Sequence, residues 1–234
     1  MTRRHQVGVV TLDRPAKANA YDRLMLDQLE TALHQLHDDS EIRVVVIGSS
    51  GKHFCAGADL EEIRSRKAED ALELKSAGVF DLLAGLPEVS IAAIGGAAVG
   101  GGLELALACD LRVAAPDAFF ELPELRHGII PAAGGTFRLA QVVGRSRAKA
   151  MILGGERVDA EEALRWGLVN RLALRDSLET TVLEWAARIA RQDPLALRLA
   201  KQAIDASGGE GTARRLAQVS QALLYELAGR DGVG

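Results

Sequence analysis

The segment from Val99 to Asp110, VGGGLELALACD, combines two features that are unusual together. Three consecutive glycines precede Glu104, which lies in a short run of leucines and alanines. Glycine is a poor helix former, and a carboxylate among apolar neighbours is costly unless it binds or reacts with something. Glu104 is therefore a candidate for binding or for proton transfer, and the surrounding elements must decide how it is presented.

The same order of features occurs twice. Residues 44–63, VVVIGSSGKHFCAGADLEEI, and residues 89–107, VSIAAIGGAAVGGGLELAL, both predict a strand, a glycine-bearing loop and a helix with an acidic first turn. Each helix start leaves backbone N–H groups free at the positive end of the helix dipole. Two such ends brought together would form a pocket for developing negative charge. The alternative is two ordinary helix starts, and spacing alone leaves both interpretations open.

The wider pattern predicts an α/β architecture, because short β-branched runs alternate with amphipathic helical segments. Asn19 is predicted as the N-cap of a helix that reaches His37, since Asp22 follows three residues later. A short helix is predicted to begin at Gly101. Strands are predicted at residues 7–13, 43–48, 90–96 and 111–115, and helical segments at residues 145–155, 159–167, 178–191 and 194–204.

Beyond about residue 135 the pattern is mostly helical. The last strand-like run, LVNRLAL, ends near residue 175. The sequence therefore predicts a core over residues 1–175 and a helical carboxy-terminal region over residues 176–234.

Composition indicates an ordinary soluble protein of the cytoplasm. The chain has 234 residues, 48% of them hydrophobic, and a net charge of −4 with scattered basic residues, which argues against nucleic-acid binding. The amino terminus has too few apolar residues for a signal peptide, and the least polar stretch, residues 89–103, is too short to span a membrane. Cys55 and Cys109 lie outside any CxxC pair and are predicted to be reduced core thiols.

Several common catalytic motifs are missing from the sequence. The glycines at 100–102 do not form a GxGxxG fingerprint, and GSSGKH lacks the spacing of a phosphate-binding loop. There is no GxSxG, and the five histidines form no HExxH pair. Dinucleotide-dependent hydride transfer, nucleotide hydrolysis, serine hydrolysis and zinc chemistry therefore lose their usual signals, and no metal site is expected.

Four segments, taken in order, resemble the enoyl-CoA hydratase/isomerase (crotonase) family. They are TLDRPAKANAYD at 11–22, KHFCAGADLEEI at 52–63, GGAAVGGGLELALACDLRVA at 95–114 and FFELPELRHGIIPAAGGTFRL at 119–139. The resemblance implies a spiral of ββα units followed by a helical region that mediates trimers. It also implies a lyase that adds water, in syn geometry, to a 2-enoyl-CoA thioester through an oxyanion-stabilised enolate.

The resemblance implies a role for four residues of the site. Ala58 and Gly101 match the two positions whose backbone N–H groups bind the thioester oxygen. Glu104 and Glu124 match the two catalytic glutamates. By this likeness, Glu104 activates water and Glu124 supplies the proton to C2, although the two carboxyls can share both roles through one water.

The resemblance also implies binding positions for the coenzyme A part of the substrate. Ala18, Ala56, Ala58 and Asp59 match loop positions near the bound coenzyme, and for Asp59 the alternative is a cap for the following helix. Residues 68–86 are expected to wall the acyl pocket. Because coenzyme A is part of the substrate, no separate cofactor is expected, and the expected assembly is a homotrimer or a dimer of trimers. Both ends of the chain look short beside the family, which affects the expectations for acyl selectivity and assembly.

Two other functions stay open at this point. A Δ3,Δ2-enoyl-CoA isomerase, or another enolate-forming acyl-CoA enzyme, would use the same oxyanion pocket with one well-placed carboxylate. A non-catalytic acyl-CoA-binding subunit is a further alternative, although such a module has no use for a second buried acid.

Overall fold

The computed structural model describes residues 1–65, 70, 73–206 and 210–231, and it confirms the predicted α/β fold. Its strands are β1 (Thr2–Arg4), β2 (Val7–Leu12), β3 (Val44–Ser49), β4 (Val89–Ile94), β5 (Ala97–Val99), β6 (Leu111–Ala114), β7 (Phe119–Glu121), β8 (Val158–Asp159) and β9 (Arg171–Leu172). Within these ranges one sheet has the order β1-β2-β3-β4-β6-β9, and a smaller sheet has the order β5-β7-β8. The large sheet is parallel except for β1, which runs antiparallel to β2.

Helices follow most of these strands. They are α1 (Arg23–Asp38), α2 (Leu60–Ser65), α3 (Lys75–Gly85), α4 (Gly101–Ala108), α5 (Gly135–Val143), α6 (Arg145–Gly154), α7 (Ala160–Trp166), α8 (Leu178–Ala190), α9 (Pro194–Asp205) and α10 (Glu210–Asp231). In the described parts of the chain, no helix combines the length and the hydrophobicity that a membrane crossing requires.

A repeated unit organises the first 143 residues. Each unit contributes a strand to the large sheet, then an extended segment to the small sheet, then a helix. The units span residues 7–38, 44–65, 89–108 and 111–143 and are numbered one to four. The small sheet continues into units two and one through the bridges Cys55↔Ala98 and Tyr21↔Ala58. The repetition that the sequence shows twice is therefore present four times.

Both faces of the large sheet are covered at its centre, so β3 and β4 are mostly apolar on both sides. In β3, Val45 and Ile47 join the core formed with α1, α3 and α4, whereas Val44 and Val46 face the opposite side. Helix α8 covers that opposite side with Val182 and Ala186, both buried. Each fully buried valine or isoleucine contributes roughly 1.5–3 kcal/mol, so this packing fixes the strand ends from which the loops emerge.

The predicted N-cap of the first helix is wrong by three residues. Asp22 is the N-cap of α1 and accepts a hydrogen bond from the Met25 N–H at 2.8 Å. Asn19 is instead fully buried with a left-handed backbone, and its side-chain amide donates to the carbonyls of Ser50 and His53, both at 2.8 Å. Both residue types are good caps, so the sequence could not distinguish them. Asn19 ties the loop of unit one to the loop of unit two.

The carboxy-terminal part agrees in its helices and differs in its last strand. Of the strand-like run at 168–174, only Arg171–Leu172 pairs with β6. Helix α8 packs on the large sheet, and the division predicted near residue 175 stays a prediction. Cys55 and Cys109 are buried free thiols, and burial raises the pKa of each to about 12.

Candidate active site

A cavity of about 520 Å³ opens where the loops of the four units meet. Of the predicted site residues, Ala56, Ala58, Gly101, Glu104 and Glu124 line it. The other lining residues are Tyr21, Gly57, Ile63, Leu74, Ser76, Val99, Gly100, Pro123, His127, Gly128, Ile129, Ile130 and Ala132. The volume is in the range of small-molecule sites, and the lining is mostly apolar with a few polar groups.

Ala58 and Gly101 present two backbone N–H groups. The Tyr21 N–H donates to the Gly57 carbonyl, and the Asp59 N–H donates to the Tyr21 carbonyl, both at 2.8 Å. In a parallel bridge of this kind the N–H of the intervening residue, Ala58, points away from Tyr21. Gly101 is the first residue of α4, so its N–H has no partner within the helix. Within the described ranges, neither N–H has an acceptor.

Close backbone packing brings these two amides together. Gly57 has a φ of +96°, and a Cβ there would lie 3.0 Å from the Val99 oxygen and 3.2 Å from the Gly101 nitrogen. The Val99 N–H donates to the Cys55 carbonyl at 3.0 Å, which holds the two loops side by side. The Gly101 amide also lies at the positive end of the α4 dipole. Together these features suit the binding of an oxygen that gains negative charge.

Glu104 is anchored at the start of α5. Its Oε1 accepts hydrogen bonds from the N–H groups of Ala133 and Gly135, both at 2.8 Å, and the residue is 4% exposed. Burial raises the pKa of Glu104, while these two amides and the charge of Arg138 oppose the rise. One carboxylate oxygen is thus held in place, and among the described residues Oε2 has no hydrogen-bond partner.

Glu124 lies in a short 3₁₀ turn, Glu124–His127, that follows Pro123. It is buried, and its Oε2 has no hydrogen-bond partner in the part of the chain that the structure describes. Burial raises the pKa of Glu124 to about 7, and the negative charges of Glu104 and Glu121 add to the rise. A carboxyl group that titrates near neutral pH is suited to giving and taking protons there.

The predicted coenzyme-binding residues fall into two groups. Ala56 lines the cavity, and its N–H donates to the Ala18 carbonyl at 3.1 Å. Ala18 and Asp59 are outside the lining. Asp59 accepts from the Glu61 N–H at 3.1 Å, which lowers its pKa and caps α2, and it pairs with Arg14 at 3.3 Å.

Sequence reasoning missed several contributors to the site. The amides that hold Glu104 belong to Ala133 and Gly135, and the glycine pair at 134–135 was the available signal. Tyr21 also lines the cavity. Of the expected acyl-pocket stretch 68–86, Leu74 and Ser76 line the cavity, whereas residues 68, 69, 71 and 72 lie outside the described residues.

Known proteins resemble this chain in sequence. A family model described as enoyl-CoA hydratase/isomerase matches residues 2–231. A relative from Arabidopsis thaliana named "Probable enoyl-CoA hydratase 2, mitochondrial" is 44% identical over 199 residues, covering 84% of this chain and 66% of the relative. The 2,3-dehydroadipyl-CoA hydratase of Escherichia coli K12 is 38% identical over 231 residues, covering 99% of this chain and 91% of that protein.

The fold is also shared with solved structures. The crystal structure of an enoyl-CoA hydratase subunit from Geobacillus kaustophilus superposes with a TM-score of 0.92 at 35% identity. The superposition covers 96% of this chain and 88% of that one. The predicted spiral of ββα units is confirmed by this match.

Proposed function

The chain belongs to the enoyl-CoA hydratase/isomerase family, and from that premise we propose that it is an enoyl-CoA hydratase, a lyase that adds water to a 2-enoyl-CoA thioester. The observation that carries the proposal is the convergence of four groups on one cavity. Two backbone amides without acceptors in the described ranges lie together, and the carboxyls of Glu104 and Glu124 line the same space.

The amides of Ala58 and Gly101 act on the thioester oxygen. Addition of water at C3 moves an electron pair from the double bond onto that oxygen and forms an enolate. Preorganised N–H donors stabilise the new charge without rearranging, and the loss of one such donor typically costs about 3 kcal/mol of barrier. Both amides are fixed by the backbone, so the pocket exists before substrate arrives.

The two carboxyls divide the proton transfers. Two amides stabilise the charged form of Glu104, whereas no donor among the described residues stabilises Oε2 of Glu124. Glu104 therefore takes a proton from water as its hydroxyl adds to C3, and protonated Glu124 gives a proton to C2. The proton then returns from Glu104 to Glu124, directly or through water. Since both carboxyls line one cavity, the hydroxyl and the proton add to the same face.

The coenzyme A part of the substrate is placed beside the loops of units one and two. Ala56 and Ala58 line the cavity there, and Ala18 is hydrogen-bonded to Ala56, which supports their assignment to coenzyme binding. Asp59 supports the same loop as the cap of α2. A homotrimer or a dimer of trimers in the cytoplasm completes the proposal, with no metal ion and no cofactor beyond the substrate.

Enzyme assays with conservative variants test the proposal. The purified protein is offered a panel of 2-enoyl-CoA thioesters, and loss of the ultraviolet absorbance of the conjugated double bond is followed. Glu104→Gln and Glu124→Gln are each expected to lower kcat by roughly 100- to 10,000-fold. Glu179→Gln, at a side chain that is 76% exposed, is the matched control and should leave kcat unchanged. A wild-type protein that hydrates no thioester of the panel refutes the proposal.

One observation favours a second candidate, an isomerase that moves the double bond of a 3-enoyl-CoA. Glu124 has a pKa near 7 and an oxygen without a partner among the described residues, and these are the properties needed to carry a proton between two carbon atoms of the substrate. If 3-enoyl-CoA is isomerised by Glu104→Gln and water is never added by the wild type, the isomerase is correct. Calorimetry that shows acyl-CoA binding without turnover would instead indicate a binding subunit.

A further inference from the structure

Tyr21 connects the two loops that carry the oxyanion-binding amides. Its main-chain N–H and C=O bond to Gly57 and Asp59, the residues on either side of Ala58. The residue is 4% exposed and lines the cavity. The main chain of Tyr21 thus fixes the segment from which the Ala58 amide projects.

The side chain of Tyr21 reaches the other amide. A Cβ built on Gly101 would overlap the phenolic oxygen and would lie 2.7 Å from Cζ and 2.8 Å from Cε1. The phenol therefore occupies the space that a side chain of residue 101 would need, against the first turn of α4. On another side the ring meets Phe80 of α3 edge-to-face, with centroids 5.8 Å apart and planes at 90°. Phe80 is fully buried, so the ring is held between two helices.

We infer that Tyr21 is a positioning residue that sets the separation of the Ala58 and Gly101 amides. The inference rests on the proposed function, because it requires these amides to bind the thioester oxygen together. The backbone of Tyr21 holds one amide, and its ring keeps the start of α4 from moving toward unit one. A smaller side chain would leave space into which that turn can shift, and a displacement of about 1 Å can lower the rate about 100-fold.

Variants of graded size test this role. Tyr21→Ala and Tyr21→Leu remove the ring, and both are expected to lower kcat for hydration by roughly 10- to 100-fold with a smaller change in KM. Tyr21→Phe keeps the ring carbons that face Gly101 and should lower kcat less than Tyr21→Leu does. Leu33→Ala is the control, because Leu33 is fully buried in α1 and does not line the cavity. It should lower the melting temperature and leave kcat unchanged.

A spectroscopic measurement separates this inference from the proposed function. A saturated acyl-CoA labelled with ¹³C at its carbonyl is bound to each protein, and the infrared C=O stretching frequency is recorded. Two amides that polarise the carbonyl should lower the frequency in the wild type, and Tyr21→Leu should return it toward the value of free thioester. Leu33→Ala should keep the wild-type frequency.

The possible results lead to different conclusions. If the wild type itself shows no lowered frequency, the oxyanion pocket and the proposed function fail, whatever Tyr21 does. If the wild type shows it and Tyr21→Leu keeps both the frequency and kcat, the inference alone is overturned. Should Tyr21→Ala fail to fold, Tyr21→Leu decides by the same two readouts.

Discussion

Substituting Gly135 by alanine tests how the proposed base, Glu104, is held, since Gly135 supplies one of the two amides bonded to its carboxylate. A Cβ there would lie 2.8 Å from the Pro131 Cβ, 3.1 Å from the Glu104 Oε1 and 3.2 Å from its Cγ. Carbon atoms in contact are normally about 3.5–4.0 Å apart, so the carboxylate or the start of α5 must move. A hydrogen bond to a charged group contributes about 1.5–3 kcal/mol. At 1.36 kcal/mol per pKa unit, loss of one such bond raises the pKa of Glu104 by about one to two units.

The expected result is a shift in the pH dependence of hydration. In the proposed mechanism the carboxylate of Glu104 is the active form, so the acidic limb of kcat/KM against pH should move upward by about one to two units in Gly135→Ala. The control is Gly78→Ala in α3, where a Cβ would meet no atom within 4 Å. In Gly78→Ala the acidic limb of kcat/KM against pH should not move. A folded Gly135→Ala protein with an unmoved acidic limb would show that the two amides do not set the protonation of Glu104.

Two further predictions concern stability. The folded-state pKa of Glu124 is raised from 4.5 to about 7, so the folded protein binds this proton more tightly than the unfolded chain does. The free energy of unfolding therefore falls by up to about 3 kcal/mol as the pH rises from 4.5 to about 7. Urea unfolding at pH 5 and pH 8 should show this loss of unfolding free energy in the wild type and not in Glu124→Gln. An equal loss in both proteins would contradict the raised pKa of Glu124. Lys201→Met removes a 2.7 Å ion pair with Asp110 that joins α9 to the core, and should cost about 2 kcal/mol in the same assay. Lys149→Met, at an exposed lysine, is the control. An equal loss of unfolding free energy there would show that the Lys201–Asp110 ion pair makes no specific contribution.

The main strands and helices could be predicted from the sequence because buried faces require apolar side chains at regular spacing. The strand runs at 44–49 and 89–94 lie within two residues of their predicted bounds, since both faces of the sheet require apolar side chains. The short strands β5 and β7 were not predicted. Each has three residues, and their pairing depends on neighbours from other units, which a local pattern does not record.

Several residues that line the candidate cavity could be predicted from the sequence, whereas the residues that support them could not. Glu104 is conspicuous because a lone carboxyl in an apolar run demands an explanation, and the structure places it in the cavity. Asn19 was misassigned because its polar side chain has equivalent uses as a helix cap or as a buried staple between loops. The role of Tyr21 could not be predicted, because an isolated aromatic residue near a helix start is common in protein cores.

The repeated unit explains why groups so far apart in sequence meet in one cavity. In a parallel sheet the carboxyl ends of the strands lie at one edge, so the loop of every unit emerges on the same side. Unit two then supplies the amide of Ala58, unit three the amide of Gly101 and the carboxyl of Glu104, and unit four the carboxyl of Glu124. Unit one contributes Tyr21, which contacts units two and three together. Since the proposed site draws on all four units and none is complete alone, the proposed mechanism depends on the spacing between neighbouring units as well as on the identity of the two glutamates.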